Sequence, residues 1–215
     1  MTKLNEKTLK KHKDFLKKFR IIDSSGINPK KKGKDHMDNG AGSYRRYLDG
    51  DEKAFEEIVK ELRDPLTYFI NSFVNDFHAA EDIAIDCFAY LAAAERYDFR
   101  VQLKTYLYML GRSRAIDYIR RRKRRQAVGF DEVEAYVGEQ SVEEEYETDQ
   151  RRLAVREAMA SLPEKMRCAV YLVYFEDLSY EETARVMKVS KKQVDNLLYR
   201  AKGMLRSIIG EKGEL

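Results

Sequence analysis

Residues 178–202, LSYEETARVMKVSKKQVDNLLYRAK, decide the fold class. The pattern Ser-x-x-Glu begins at Ser179 and Ser-x-x-Gln begins at Ser190, and both patterns are typical of a capped helix N-terminus. The two predicted helices begin 11 residues apart and leave room for only a short turn at Lys188-Val189. This arrangement predicts a helix-turn-helix.

The second helix of such a motif enters the major groove of DNA with its N-terminal half. Its exposed positions here are polar, and Lys, Gln and Asn side chains can bond to base edges or to phosphate. We expect DNA contacts from Ser190, Lys191, Lys192, Gln193, Asn196, Tyr199, Arg200 and Lys202. The apolar positions are expected in the core: Val194, Leu197, Leu198, Ala201 and Leu205. The alternative is a helical hairpin that only packs or binds protein.

Upstream, residues 43–125 show helical spacing of apolar residues and no alternation typical of strands. We expect one helix to end before Asp64-Pro65, because proline suits the first position of the next helix. A turn is expected at Phe77-His78-Ala79, and a long helix from Leu103. The fold class is therefore all-α, with two small helical domains.

The long helix ends in a cluster of basic residues: Arg112, Arg114, Arg120, Arg121, Arg122, Lys123, Arg124 and Arg125. A helix C-terminus favours cations by only about 0.3–1 kcal/mol each, so eight of them indicate an extended anion such as a phosphate backbone. Just before this helix, Tyr97 and Phe99 lie in an irregular stretch. We expect both rings to be exposed and able to stack on unpaired bases. Tyr106 is either a core residue or part of the same aromatic surface.

Charge is strongly segregated along the 215 residues, although 41 Lys and Arg nearly balance 37 Asp and Glu. Residues 1–42 carry a net charge of +7, and residues 126–150 carry nine acids with no Lys or Arg. Such asymmetry indicates an anionic partner for the basic segments. We expect five segments: a flexible basic extension (1–42), a first unit (43–125), an acidic linker (126–148), a second unit (149–209) and a tail (210–215).

The apolar runs, cysteines and histidines of the sequence argue against several protein classes. No apolar run approaches the roughly 20 residues of a membrane span, and the N-terminus lacks the apolar region of a secretory signal. Two cysteines, Cys87 and Cys168, cannot build a disulfide framework. The three histidines are scattered, and no H-E-x-x-H or C-x-x-C motif is present. We expect a cytoplasmic protein without a catalytic residue, a metal, a cofactor or a small-molecule substrate.

The order of motifs resembles bacterial RNA polymerase sigma factors of the extracytoplasmic-function (ECF) group. The resemblance covers about Tyr44 to Ile209. It is carried in the first unit by Ala54-Phe55-Glu56-Glu57, Ala80-Glu81-Asp82-Ile83, Leu103-Lys104-Thr105-Tyr106-Leu107 and Arg114 through Arg121. In the second unit it is carried by Ser161 through Lys165, Leu178 through Ala184, Val189-Ser190 and Tyr199 through Lys202.

The resemblance implies binding to core RNA polymerase, through its β′ and β subunits, and to promoter DNA. It implies docking on the β′ clamp helices through Glu81, Asp82 and Asp86. Opening and reading of the −10 element would involve Tyr97, Phe99, Arg100, Arg112, Arg114, Asp117, Arg120 and Arg121. The predicted second helix of the helix-turn-helix would read the −35 element. The acidic linker is either a nucleic-acid mimic in the RNA path or a plain tether, and an anti-sigma factor is a possible further partner.

Two other function classes remain as alternatives. A stand-alone repressor or activator would use only the helix-turn-helix and would usually dimerise on a palindrome. Such a protein needs neither the basic helix end nor the aromatic stretch. An enzyme fits least, because the carboxylates of Glu81 and Asp82 are sequence neighbours and point apart on a helix.

Overall fold

A computed structural model describes residues 40–94, 97–127 and 157–212, and within these ranges the chain forms helices and no strand. The all-α prediction is confirmed. Most of the predicted basic extension and of the acidic linker lies outside the described residues.

The first unit contains four helices. They are α1 (Ala41–Leu48), α2 (Glu52–Val74), α3 (Phe77–Ala94) and α4 (Leu103–Ala127). Helix α2 packs against the other three and forms the centre of the unit. Its buried side chains include Ile58, Leu62, Leu66, Phe69 and Ile70.

The second unit is built from short helices. Residues 157–161 are helical, and α5 (Glu164–Val170) follows. Helix α5 continues as a π-helical turn over Tyr171–Phe175, in which the Glu176 N–H donates to the Tyr171 carbonyl at 3.1 Å. Helices α6 (Tyr180–Met187) and α7 (Lys191–Lys212) then form the predicted helix-turn-helix.

The predicted break at Asp64-Pro65 is wrong, because α2 runs through Pro65 without interruption. A proline inside a helix removes one hydrogen bond and costs about 3 kcal/mol. The cost is offset because Leu62 and Leu66, on either side of the proline, belong to one continuous buried stripe.

Two predicted boundaries shift by a few residues. Phe77 begins α3 rather than lying in a turn, since the turn is made by Asn75, at φ 52°, and Asp76. The Asp76 carboxylate accepts a hydrogen bond from the Ala79 N–H at 3.1 Å and caps the helix. Helix α1 begins at Ala41, two residues before the predicted start of the first unit.

Gly40 explains where α1 begins. Its φ of 86° lies in the left-handed region that favours glycine. A Cβ at this position would also lie 2.9 Å from Cδ2 of Leu103. The chain therefore turns at Gly40 in direct contact with the start of α4.

The two units pack directly against each other. Helix α6 lies against α4, and α5 lies against α2. Tyr171 stacks on Phe69 with ring centroids 6.0 Å apart, and its hydroxyl donates to the Pro65 carbonyl at 3.0 Å. The apolar cores of the two units consequently form one continuous cluster.

Candidate nucleic-acid interface

The start of α7 is held by reciprocal capping bonds. The Gln193 N–H donates to Ser190 Oγ at 3.2 Å, and the Ser190 N–H donates to Gln193 Oε1 at 2.8 Å. The first helix of the motif has the same box between Ser179 and Glu182. Both predicted capping boxes are confirmed, and Lys188 joins the two helices in the left-handed conformation, at φ 54°.

Helix α7 separates its apolar and polar residues as predicted. Val194, Leu198, Ala201 and Leu205 are at most 2% exposed, and Leu197 is half-buried. The exposed face carries Lys191, Lys192, Asp195, Asn196, Tyr199 and Arg200. Tyr199 is 79% exposed, so its ring is accessible to a partner. This face can make hydrogen bonds, charge contacts and a stacking contact.

Three predicted DNA-binding residues of this motif are partly engaged or buried within the protein. Lys191 forms an ion pair with Glu181 of α6. Gln193 uses its amide oxygen for the cap, so only its amino group remains to bond a base edge. Lys202 is partly buried, and burial together with the neighbouring Arg206 lowers the pKa of its ammonium group.

The basic end of α4 projects away from the core. Arg120, Arg121, Arg124 and Arg125 are exposed, and Arg122 is half-buried. Asp117 is also exposed and lies 3.7 Å from the Arg120 guanidinium. Such a surface attracts a phosphate backbone through its charge.

Two arginines earlier in α4 are less accessible. Arg114 is half-buried, lies 3.5 Å from the Asp86 carboxylate and places its guanidinium 5.2 Å from the Tyr90 ring centre. It therefore fastens α4 to α3. Arg112 is also half-buried, and its positive charge counteracts part of the rise in pKa that burial imposes on Cys168 of the second unit.

The aromatic stretch differs from the prediction. Tyr97 is 4% exposed, packs beside Tyr44 and Tyr106, and donates its hydroxyl to the Val101 carbonyl at 2.6 Å. The expectation that this ring is exposed is wrong, because α1 covers it from a side that sequence reasoning did not anticipate. Tyr106 is half-buried in the same cluster.

Phe99 is half-buried, and its backbone is in the left-handed region at φ 60°. Its ring lies 4.7 Å from that of Tyr97 and 4.9 Å from the Arg45 guanidinium, centre to centre. The neighbouring Arg100 side chain is 86% exposed and pairs with Asp98 at 3.1 Å. The loop thus carries one half-buried ring and one exposed arginine beside the buried Tyr97.

An acidic face lies on α3. Asp82 and Asp86 are exposed, and Glu81 is partly exposed next to His78. Ile85 lies among these carboxylates and is 57% exposed. An exposed isoleucine ringed by acids is suited to a protein partner with apolar and basic groups.

Sequence reasoning missed Ile85, and also Tyr44 and Arg45 of α1. The spacing of Ile85 from Glu81 and Asp82 was a usable signal, since residues three and four positions apart share a helix face. Tyr44 offers no comparable signal. It is fully buried, and its hydroxyl donates to the Leu91 carbonyl at 3.0 Å, across a distance that only the fold creates.

Metal-ligating side chains of the described part of the chain are not clustered, and its thiols are not exposed. No cluster of metal-ligating side chains occurs in these residues. Cys87 and Cys168 are free and buried, and burial raises the pKa of each thiol to about 12. A thiol with such a pKa is a poor nucleophile near neutral pH. Among the described helices, none is long and apolar enough to span a membrane.

The sequence matches two family models: Sigma-70 region 2 over residues 58–125 and Sigma-70 region 4 over residues 152–205. The RNA polymerase sigma-H factor of Pseudomonas aeruginosa is 30% identical over 166 residues, which cover 71% of this chain and 84% of that protein. This chain belongs to the RNA polymerase sigma factors. The sigma factor is also 26% identical over 155 residues to the ECF RNA polymerase sigma factor SigM of Bacillus subtilis, covering 71% of this chain and 93% of SigM.

Two solved structures share the fold of this sigma factor. The sigma factor RpoE of Bartonella quintana, in complex with the anti-sigma factor NepR, matches with a TM-score of 0.57 at 20% identity, covering 74% of this chain and 98% of RpoE. CnrH, in complex with the cytosolic domain of CnrY, matches with a TM-score of 0.56 at 20% identity, covering 81% of this chain and 99% of CnrH.

The resemblance to the ECF group is therefore confirmed. As a sigma factor, the protein works with core RNA polymerase and promoter DNA and directs the initiation of transcription. The region 2 match begins inside α2 and ends in α4, and the region 4 match includes α5, α6 and most of α7 with the helix-turn-helix.

Proposed function

We propose that this sigma factor reads promoters with two separate surfaces and docks on the polymerase with a third. The observation that carries the proposal is the helix-turn-helix, in which capped helix α7 presents a polar, exposed N-terminal half. We assign the −35 element to this surface. Lys192 and Asn196 face solvent and are suited to base edges, whereas Tyr199 and Arg200 are better suited to the backbone.

We assign the −10 element to the first unit. Arg120 and Arg121 at the end of α4 would hold the phosphate backbone, together with Arg112 and Arg114. Phe99 and Arg100 would contact unpaired bases, because an aromatic edge beside a cation suits single strands. Tyr97 would then act indirectly, by supporting Phe99 through the 4.7 Å ring contact.

We assign core polymerase binding to the α3 face formed by Glu81, Asp82, Asp86 and Ile85. Three carboxylates around an exposed isoleucine complement a basic and apolar helix pair, such as the clamp helices of β′. In this role Asp86 would exchange its contact with Arg114 for one with the polymerase.

The remaining proposals concern the two working units, catalysis, location and regulation. We propose that residues 43–125 and 149–209 act as the two working units, that the protein has no catalysis of its own, and that it acts in the bacterial cytoplasm at the nucleoid. We propose an anti-sigma factor as a regulator by analogy, since one is bound to RpoE, which has the same fold.

The decisive experiment is transcription with purified core RNA polymerase on fragmented genomic DNA, followed by mapping of RNA 5′ ends. We expect start sites that depend on this protein and share two upstream sequence boxes. A known sigma factor added to the same core serves as the positive control. If the core responds to that control but initiates nowhere with this protein, the proposed function is wrong.

A variant pair tests the polymerase surface. Ile85→Lys should weaken binding to core polymerase by at least tenfold, because it places a cation at the centre of an apolar contact. Leu48→Lys is the matched control, since Leu48 is also an exposed apolar residue (44%) but lies on α1. If the two variants weaken binding to core polymerase equally, the docking surface does not lie on this face of α3.

A further inference from the structure

Arg45 of α1 lies over the ring of Phe99, in the loop that precedes α4. Its guanidinium carbon is 4.9 Å from the ring centre, which is within the range of a cation–π contact. Arg45 is exposed, whereas Phe99 is half-buried. The two residues are distant in the sequence, so only the fold places this arginine beside the loop.

The hydrogen-bond donors of Arg45 are not used within the described part of the protein. A guanidinium carries several N–H donors in a planar fork, and those of Arg45 have no partner among the described residues. The neighbouring Arg46 differs, because it pairs with Asp51 at 2.8 Å and with Glu57 at 3.3 Å. The ring contact therefore orients the Arg45 cation and leaves its donors open to an acceptor from outside the protein.

The loop around Phe99 is fixed in an uncommon conformation. Its φ of 60° lies in the left-handed region, which is disfavoured for phenylalanine. The Tyr97 hydroxyl donates to the Val101 carbonyl at 2.6 Å, and the Arg100 N–H donates to the Asp98 carboxylate at 3.1 Å. Strained residues persist where the surrounding contacts fix them, and they cluster at functional sites and ligand clamps. The ring beneath the arginine is thus held by its own loop.

Buried aromatic residues support the Arg45–Phe99 pair from within the first unit. The rings of Tyr97 and Tyr44 lie 4.7 Å and 6.0 Å from the Phe99 ring. Tyr44 precedes Arg45, is fully buried and anchors α1 to α3 by its 3.0 Å bond to the Leu91 carbonyl. The backbone of Arg45 and the ring that it covers are consequently fixed to the same core. Such preorganisation reduces the entropy that the arginine loses when it binds a ligand.

The ligand chemistry that fits this arrangement is a phosphate of single-stranded DNA. Surfaces that bind unpaired strands combine aromatic rings, on which bases stack, with cations that follow the backbone. Each base that reaches Phe99 brings a phosphate with it, and a guanidinium can bond two phosphate oxygens at once. The adjoining ring and the 86% exposed side chain of Arg100 favour a nucleotide over an isolated carboxylate.

We infer that Arg45 is a further DNA-binding residue of the −10 surface, and that it donates to a backbone phosphate of the unpaired strand whose base contacts Phe99. The −10 surface then extends from the loop and α4 onto α1. Arg45 lies outside the segment that matches Sigma-70 region 2, which begins at residue 58. The inference rests on the proposed function, because it adds a contact to the surface assigned to the −10 element.

Holoenzyme assembled from purified core polymerase and the full-length chain provides the test. The probe is a fluorescein-labelled single strand with the non-template sequence of a −10 element mapped in the transcription experiment. Fluorescence anisotropy measures its binding over a series of salt concentrations. Arg45→Ala should weaken binding by about tenfold. It should also lower the slope of log K against log salt by about 0.7, the value for one phosphate of a single strand.

Arg46→Ala is the matched control. It removes the same charge from the next residue of α1, which is also exposed but already paired with two carboxylates. It should change neither the affinity for the strand nor the salt slope. Circular dichroism verifies that the helices are retained, and Arg45→Gln, which is closer in length to arginine, decides the result if Arg45→Ala loses helical structure.

A purely structural role of Arg45 gives a different result. If Arg45 only supports the Phe99 ring, Arg45→Ala weakens strand binding without changing the salt slope, and this outcome overturns the inference. Unchanged affinity overturns it as well. Equal effects of Arg45→Ala and Arg46→Ala do the same, because the loss would then reflect net charge alone.

Two further measurements separate this inference from the proposed function. Arg45→Ala should bind core polymerase as tightly as the unsubstituted chain, because the proposed docking face lies on α3. If the unsubstituted holoenzyme initiates transcription and binds the strand, but Arg45→Ala has the same salt slope, the inference alone is wrong. If the unsubstituted chain never supports initiation, the proposed function is wrong and the inference is wrong with it.

Discussion

At the scale of single residues, Gly111 allows α4 to approach α2 closely. A Cβ at this position would lie 2.9 Å from Cδ1 of Leu66 and 3.3 Å from Ile70. Gly203 in α7 has no heavy atom within 4 Å of the same point. Packing against α2 therefore leaves no room for a larger side chain at Gly111, whereas packing sets no such limit at Gly203.

We predict that Gly111→Ala lowers the free energy of unfolding by about 1–3 kcal/mol, because overpacking outweighs the gain in helix propensity. Gly203→Ala is the control and should stabilise the protein by up to about 1 kcal/mol. Urea denaturation followed by circular dichroism measures both. A stabilising Gly111→Ala would mean that Leu66 and Ile70 move aside at little cost.

Asn196 is the exposed residue of α7 best suited to reading a base. Asn196→Ala should weaken binding of the holoenzyme to its promoter by about 1–3 kcal/mol and relax the preference at one base pair of the −35 element. Lys165→Ala, which removes an exposed charge from α5, should change neither property. Competition binding with a randomised −35 box measures the preference, and an unaltered base profile would assign the reading to another residue.

At the scale of elements, α4 combines two tasks along one helix. Its first half is a packing element, with Leu103, Leu107 and Tyr108 buried and Arg114 fastened to α3. Its second half is exposed and basic. The helix therefore carries an exposed basic surface at one end and a contact with the second unit at the other.

The salt dependence of holoenzyme–promoter binding tests the basic half. Replacing Arg120 and Arg121 with Ala should lower the slope of log K against log salt by about 1.8 if both contact duplex phosphates, and by about 1.4 if both contact a single strand. Arg63→Ala in α2 controls for a general loss of surface charge. An unchanged slope would show that neither arginine touches phosphate.

At the scale of the whole molecule, burial makes several phenols and both thiols hard to ionise. Burial raises the pKa of Cys87 and Cys168 to about 12, and it raises the pKa of Tyr108, Tyr171 and Tyr174 as well. Each of these groups ionises more easily in the unfolded chain. The stability that they confer is complete below the unfolded pKa and is lost as pH rises toward the folded pKa.

We therefore predict that the free energy of unfolding falls as pH rises above 9. Each thiol should contribute about 2 kcal/mol to the loss between pH 8 and pH 10. Denaturation at pH 8 and at pH 10 measures the loss, and Cys87→Ala with Cys168→Ala should reduce it. Equal losses with and without the thiols would show that the tyrosines or surface charges account for the alkaline effect.

Local features of this sigma factor could be predicted from sequence because they depend on neighbouring residues. The capping boxes at Ser179 and Ser190 and the apolar spacing of α7 lie within a few residues and were confirmed. The break predicted at Pro65 is wrong because contacts with distant segments override the local preference of proline. Contacts from α1, α3, α4 and α5 stabilise the helix beyond what its local propensity allows.

By itself, the sequence determined the all-α class, the helix-turn-helix, the segregation of charge and the membership of the family. Only the tertiary structure decided which side chains are exposed: it buried Tyr97, engaged Arg114 with Asp86 and exposed Ile85. It alone paired Lys104 with Glu176, 72 residues apart. Periodicity and capping are short-range and leave a pattern in the chain, whereas an interface between distant segments depends on shape and leaves none.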